Sequence, residues 1–116
     1  LGARSFIAAC NANNVVPKYL ETGQYIPEPS RTTLSNAMDV GDPSNLARIR
    51  RLFNNDLDLI RENMATASIS DEDTAATIRK INREFGYTMD PHTAVGFASL
   101  EKLAKPGPSE VGVVLA

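Results

Sequence analysis

The sequence is poor in the residues that most often carry recognisable chemistry. Its 116 positions include one cysteine, one histidine, no tryptophan and only 6% aromatic residues. A single cysteine, Cys10, excludes an internal disulfide and is typical of a protein of the reducing cytoplasm. A single histidine, His92, with no cysteine or carboxylate at metal-ligand spacing, argues against a zinc site. Nothing in the sequence has the pattern of a nucleophile elbow.

Long apolar runs and an excess of positive charge are also missing. No apolar stretch approaches the roughly 20 residues of a membrane span, and no signal peptide is recognisable. The net charge is −2, and the only basic cluster is formed by Arg48, Arg50 and Arg51, which argues against nucleic acid as a partner. With 42% hydrophobic residues, residues 1–116 are expected to form a single globular unit with its own core.

The chain opens with the pattern of a βαβ unit. Residues 5–10 form a short apolar run whose length favours a buried strand, and residues 11–14 are an asparagine-rich turn. Residues 15–21 then predict a two-turn helix that Gly23 would end. A short strand is expected at residues 66–70, and the valine-rich run 110–115 is typical of a buried parallel strand. Further helices are predicted over residues 43–53, 57–64, 70–85 and 90–104.

Helix start and stop signals support these ranges. Asp42-Pro43 and Asp90-Pro91 each combine a preferred N-cap with a preferred first helical residue. Ser70 is followed by three carboxylates, Asp71 to Asp73, which complement the helix dipole more simply than they would bind a metal. Gly86 is the expected stop, and residues 105–108 are a firm break. The inward positions of the last two helices are predicted to be Ile78, Ile81, Phe85, Ala94, Val95, Ala98 and Leu103.

A polar segment, residues 33–45, is the most unusual stretch. Small polar residues alternate there with single apolar ones, and the segment leads directly into the helix start at Asp42. Such an arrangement suits an anion at a helix N-terminus, but it is equally typical of a capped surface loop. Similarly, His92 fits either a capping role or proton transfer. Open α/β sheets bind ligands at the carboxyl edge of their strands, where residues 11–14 and 90–93 are the turns expected to stand.

Three motifs carry a family resemblance: residues 35–45 (SNAMDVGDPSN), residues 6–17 (FIAACNANNVVP) and residues 90–96 (DPHTAVG). They resemble threonine synthases, pyridoxal-phosphate enzymes that make L-threonine from O-phospho-L-homoserine and water. The first motif is similar to a run in that family, the second to the segment after its phosphate-binding loop, and the third to a late helix start. The motifs occur in the order of the family and cover most of the chain. The resemblance implies an α/β fold, a three-layer parallel-sheet fragment of a pyridoxal-phosphate fold type II enzyme, truncated from a larger two-domain protein.

The resemblance also implies what this chain lacks. The family's Schiff-base lysine lies earlier in the sequence, and none of Lys18, Lys80, Lys102 and Lys105 matches its motif. The phosphate loop should end shortly before Leu1, and the hydroxyl residue facing the pyridine nitrogen should follow Ala116. We therefore expect no catalytic residue, no bound cofactor and no activity in this chain alone. The expected contribution is a substrate pocket wall made of Asn11, Asn13, Ser35, Asn36, Asp39, Asp90 and His92.

Two positions depart from the family pattern. Cys10 and Asn14 stand where threonine and aspartate are expected, and the second change removes a charge. Two other readings of the chain remain: a stand-alone, non-catalytic ligand-binding or interaction module of the same fold, or a related pyridoxal-phosphate lyase such as a threonine dehydratase. The run at residues 35–45 argues against the dehydratase.

Overall fold

The computed structural model describes residues 3–104 and 107–116. It contains two strands, five α-helices and one short 3-10 helix, Asn36–Met38, within those ranges. The strands are β1 (Phe6–Cys10) and β2 (Met64–Ser68), and the helices are α1 (Val15–Thr22), α2 (Leu46–Leu52), α3 (Leu57–Asn63), α4 (Asp71–Phe85) and α5 (Pro91–Leu103). None of the helices in these two ranges is long and apolar enough to cross a membrane.

The two strands are parallel neighbours in one sheet. Phe6 lies opposite Met64 and Cys10 opposite Ser68, with α1, α2 and α3 in the crossover between the strands. Parallel strands need such a connection, because the chain must return to the same end of the sheet. The predicted βαβ opening is therefore correct in type, although its crossover contains three helices.

Side chains of the sheet alternate between two apolar clusters. Ala8 and Met64 belong to a cluster with α1, α2 and α3, whose buried members are Tyr19, Leu20, Leu46 and Ile60. The neighbouring positions Ala9 and Ala67 face Val95 of α5 instead. A third cluster, around Ile81 and Ala94, joins α4 to α5. Helices thus cover both faces of a parallel sheet, which confirms the expected three-layer α/β class.

The carboxyl-terminal run was expected to be a strand and is not one. Residues 110–116 form no ladder with β1 or β2. Val111, Val113 and Leu115 are 86%, 72% and 92% exposed. Val114 instead packs on Gly96 of α5, where an added Cβ would lie 2.6 Å from Val114 Cγ1. The valine-rich composition of the run is that of a buried strand, but a strand also needs a partner backbone, and this run has none among the described residues.

The helix expected from residue 43 begins later than predicted. Its first residue is Leu46, and its N-cap is Asn45, which makes no capping bond with its side chain. Asp42 is therefore not the cap, and its carboxylate accepts a hydrogen bond from the Tyr25 hydroxyl. The predicted strand at residues 66–70 also lies earlier, at Met64–Ser68.

The cap and stop residues predict the limits of α4 correctly, whereas its apolar face is predicted only in part. Ser70 Oγ accepts a hydrogen bond from Asp73 N at 3.1 Å, and Gly86 ends the helix with φ of 66°. Phe85, however, is 73% exposed, because it lies one turn beyond the contact of Ile81 with α5. Leu103, in the last turn of α5, is likewise 42% exposed. Lys105 and Pro106 of the predicted break lie outside the described residues.

Candidate functional site

The carboxyl end of β1 carries a buried asparagine that gathers the polar segment around it. Asn11 is 1% exposed, and its Nδ2 lies 2.8 Å from Thr33 Oγ1, 3.0 Å from Ser35 Oγ and 3.0 Å from Asp39 Oδ1. Its Oδ1 accepts from the backbone N–H of Asn13 at 2.8 Å. Because buried amides need partners for both ends, this one side chain fixes the polar segment against the strand. We call Asn11, Asn13, Thr33, Ser35 and Asp39 the polar cluster.

Asn13 pairs with the chain that enters the polar segment. Its Oδ1 accepts from Arg31 N at 2.7 Å, and its Nδ2 donates to Arg31 O at 2.9 Å. The amide group therefore bonds Arg31 as a neighbouring strand would. Nδ2 also lies 3.1 Å from Asp39 Oδ1, which ties the entry of the loop to its far side.

Asp39 is the negative centre of the polar cluster. It accepts from Thr33 Oγ1 at 2.7 Å and from Thr33 N at 3.0 Å, in addition to the two asparagines. These hydrogen bonds, the Thr33 hydroxyl first, lower the pKa of the Asp39 carboxyl, although burial opposes them. Hydrogen bonds to a carboxylate favour its ionised form. Asp39 is thus an anion that already accepts four hydrogen bonds, three at Oδ1 and one at Oδ2.

Asp90 caps α5, as the sequence predicts. Its Oδ1 accepts from His92 N at 2.9 Å and from Thr93 N at 3.2 Å, and its Oδ2 accepts from the Thr93 hydroxyl. The Thr93 hydroxyl is the main cause that lowers the pKa of Asp90 to about 2. The carboxylate is therefore ionised over the physiological range.

His92 connects this cap to the polar segment. Its Nδ1 lies 3.1 Å from Asp90 Oδ1, and its Nε2 accepts the backbone N–H of Ala37 at 3.1 Å. Since an N–H points at Nε2, that nitrogen is unprotonated in this arrangement, and the ring proton is on Nδ1 facing Asp90. The side chain is 28% exposed, so one part of the ring remains open to a ligand.

A residue that sequence reasoning missed holds the segment from a third side. Asp71, in the first turn of α4, accepts the backbone N–H of Leu34 at 3.1 Å. Thr33, a donor to Asp39, was also missed. For Asp71 the sequence offered only its place in an acidic first turn, which dipole complementation explains without any contact to residue 34.

The structure brings all seven predicted residues into one region. Asn11, Asn13, Ser35 and Asp39 bond one another, whereas Asp90 and His92 reach the same segment through Ala37. Asn36 is exposed at the start of the 3-10 helix. The residues differ in exposure: Asn11 and Ser35 are each 1% exposed, whereas Asn36 and Asp90 are exposed and His92 is partly exposed.

The described lysines do not fit covalent attachment of an aldehyde cofactor at this site. Lys18 is paired with Glu28, and Lys80 lies 2.6 Å from Glu101 at the α4–α5 contact. No lysine donates to the polar cluster in the part of the chain that the structure describes. Across residues 3–104 and 107–116, no group of three or more His, Cys, Asp or Glu side chains could hold a metal ion. Burial raises the pKa of the Cys10 thiol to about 11, which makes it a poor nucleophile.

Parallel strands, helices on both faces and a polar cluster at the carboxyl end of β1 define an α/β chain of the class found in pyridoxal-phosphate enzymes. No family model matches the chain. It is, however, similar to curated threonine synthases along nearly its whole length: 41% identical to that of Escherichia coli K12 over 115 residues and 40% to that of Serratia marcescens, in each case over 99% of this chain and 26% of the relative.

Solved threonine synthases share the fold. The crystal structure of the Escherichia coli enzyme has a TM-score of 0.82 at 40% identity and covers 91% of this chain and 24% of that one. The pyridoxal-phosphate-bound threonine synthase of Brucella melitensis has a TM-score of 0.81 at 25% identity, over 88% of this chain and 27% of its own. The resemblance inferred from the three motifs is confirmed. The chain spans about a quarter of the length of the relatives it matches.

The two lowered carboxyl pKa values predict loss of stability in acid. A carboxyl with a lowered folded pKa stabilises the folded state above its unfolded pKa of about 4, and this contribution disappears as pH falls through the folded pKa. For Asp90 that value is about 2. Substituting Asp90→Asn in the full-length protein should therefore flatten the fall of the urea midpoint between about pH 4 and pH 2. Glu62→Gln, on the exposed face of α3, is the matched control. If the urea midpoint of Asp90→Asn fell with pH as steeply as that of the wild type, the lowered pKa of Asp90 would be contradicted.

Proposed function

We propose that this chain is one α/β unit of a two-domain threonine synthase, which converts O-phospho-L-homoserine and water into L-threonine and phosphate. The observation that carries the proposal is the similarity to threonine synthases over 99% of the chain at 35–41% identity. Pyridoxal phosphate would supply the electron sink for this reaction. Its covalent attachment is assigned to residues outside this chain. The proposed compartment is the cytoplasm, which the single Cys10 suits.

Within that enzyme we assign the site residues to three tasks. Asn36 is exposed and is proposed to contact the substrate, and the partly exposed His92 is proposed to line the pocket beside it. Asn11, Asn13, Ser35 and Asp39 are proposed to hold the backbone of residues 31–39 in shape, because their polar groups are already bonded to one another. Asp90 is proposed to orient the His92 ring. No catalytic proton transfer is assigned to this chain.

The test begins with the open reading frame that contains the chain. A Schiff-base lysine upstream and a Thr or Ser just after Ala116 are expected. The purified full-length protein, loaded with pyridoxal phosphate, should release phosphate and L-threonine from O-phospho-L-homoserine. Formation of 2-oxobutanoate from L-threonine as the main activity would instead indicate a dehydratase. Stoichiometric retention of pyridoxal phosphate by residues 1–116 alone would contradict the assignment of attachment elsewhere.

A variant pair tests the proposed wall. Asn36→Ala should raise KM for O-phospho-L-homoserine several-fold, about the value of one or two lost hydrogen bonds, while the folded state is unaffected because Asn36 is exposed. Asn63→Ala is the control, since the Asn63 side chain bonds only Leu59 O of its own helix among the described contacts. Equal KM values for the two variants would remove Asn36 from the site.

A further inference from the structure

Two helices begin against the polar segment, and each supplies one side-chain acceptor to its backbone. Asp71 Oδ1, from α4, accepts Leu34 N–H at 3.1 Å, and His92 Nε2, from α5, accepts Ala37 N–H at 3.1 Å. Leu34 and Ala37 immediately flank Ser35 and Asn36. The two held amides therefore bracket the part of the segment that carries the substrate candidates.

We propose that Asp71 and His92 are positioning residues that fix the backbone of residues 34–37 from the N-termini of α4 and α5, and so set where Asn36 stands for the substrate. The statement that Asn36 faces a substrate rests on the proposed function. The hold of Asp71 and His92 on the backbone does not. Asp71 has a task here that differs from its neighbours in the acidic first turn, because its carboxylate reaches an amide 37 residues earlier in the chain.

Both positioning groups are themselves held by rigid elements. Ser70 caps α4 at 3.1 Å from Asp73 N, one residue before Asp71. Asp90 caps α5 and also lies 3.1 Å from His92 Nδ1, a contact that favours this orientation of the ring and a proton on Nδ1. Because each group is fixed at a capped helix start, the position of the helix determines the position of the backbone amide that the group bonds. Ser35, between the two held amides, is bonded from the third side by Asn11.

The contact through His92 depends on its charge. Protonation of Nε2 would turn the acceptor into a second donor facing Ala37 N–H, and the contact would be lost. The charged groups placed around the segment by hydrogen bonds are the carboxylates Asp39, Asp71 and Asp90, together with Arg31, whose side chain pairs with Glu28. The hold on Ala37 therefore requires an unprotonated Nε2.

Hydrogen exchange at Leu34 tests the role of Asp71 in the full-length protein. Asp71→Ala should speed exchange of the Leu34 amide about five- to tenfold, as expected for loss of one hydrogen bond. Asp71→Asn retains an oxygen acceptor and should restore most of the protection. Glu72→Ala removes a neighbouring carboxylate from the same helical turn and should leave Leu34 unchanged. Equal exchange at Leu34 in Asp71→Ala and Glu72→Ala would overturn the proposal for Asp71.

A parallel series tests His92. His92→Leu should speed exchange of the Ala37 amide about five- to tenfold, as expected for loss of one hydrogen bond. His92→Gln places an amide oxygen near the position of Nε2 and should restore most of the protection. Ser30→Ala removes an acceptor from Gly41 N in the same loop and should not affect Ala37. Unchanged exchange in His92→Leu would overturn the proposal for His92.

Kinetics separate a positioning role from a merely structural one. Asp71→Ala and His92→Leu should raise KM for O-phospho-L-homoserine several-fold more than they change kcat, and Asp71→Asn and His92→Gln should recover it. Faster exchange with unaltered KM would overturn the link to the substrate. If the wild-type protein shows no activity on this substrate, the proposed function fails, whereas the exchange arm still decides whether Asp71 and His92 hold the segment.

Discussion

Substituting Gly41→Ala should disrupt the polar segment, at a cost of about 3 kcal/mol in the free energy of unfolding, the upper part of the range for overpacking. Gly41 is buried, and an added Cβ would lie 1.8 Å from Glu28 O, 2.8 Å from Glu28 C and 3.1 Å from Pro29 C. All three are backbone atoms, which no side-chain rotation can move away. The backbone segments that contain Glu28 and Gly41 must therefore move apart.

Moving these two segments apart would break two hydrogen bonds of Gly41. Glu28 N donates to Gly41 O at 2.9 Å, and Gly41 N donates to Ser30 Oγ at 3.1 Å. Hydrogen exchange of the Glu28 amide in the full-length protein is the most direct measurement, because its acceptor is the substituted residue itself. We expect that amide to lose its protection in Gly41→Ala, with a lower urea midpoint for the whole protein.

Gly96→Ala is the matched control for this prediction. Its added Cβ would lie 2.6 Å from Val114 Cγ1, which is also too close for an ordinary contact, but the obstacle is a side chain of the run 110–116. A side chain can rotate, and alanine in a helix is favoured over glycine by about 1 kcal/mol. The net change at Gly96 should thus be small. If Gly41→Ala lowered the free energy of unfolding as little as Gly96→Ala, the close packing of residues 28 and 41 would be contradicted.

Features determined by neighbouring residues were predictable from the sequence. The limits of α4 follow from Ser70 and Gly86, and the start of α5 follows from Asp90 and Pro91. Each of these signals acts within one turn of the chain, so no knowledge of the rest of the fold is required. The same signal at Asp42 failed, since α2 begins at Leu46, and the Asp42 carboxylate instead bonds Tyr25, 17 residues earlier.

Features determined by distant residues were predictable only in part. The run 110–115 has the valine-rich composition of a buried strand, yet pairing depends on which backbone lies beside it. The candidate site residues were found through the family motifs, which place them without saying how they bond. The acceptors that Asp71 and His92 provide span 37 and 55 residues of sequence. No local pattern carries that information.

Substituting Asn11→Ala should be at least as damaging as Gly41→Ala, because it removes the centre of the polar cluster. Asn11 is 1% exposed and supplies a donor to Thr33, Ser35 and Asp39 and an acceptor to Asn13 N. A buried group left without its partner costs about 1–3 kcal/mol, and here more than one is left. We expect a loss of about 3–4 kcal/mol in the free energy of unfolding, with faster exchange at the amides of Asn13 and Thr33.

An isosteric variant distinguishes lost hydrogen bonds from lost volume. Asn11→Asp keeps the shape of the side chain, but it replaces the donor Nδ2 with an oxygen 3.0 Å from Asp39 Oδ1. Two carboxylates at that distance repel, so one of them must take up a proton or the cluster must open. Asn11→Asp should therefore destabilise the protein at neutral pH as strongly as Asn11→Ala, and its stability should recover in acid, where a shared proton restores a hydrogen bond.

Asn63→Ala is the control: it removes one bond to Leu59 O within α3 and should cost less than about 1 kcal/mol in the free energy of unfolding. A urea midpoint for Asn11→Asp equal to that of the wild type at neutral pH would show that Asn11 fills space in the wall without organising it.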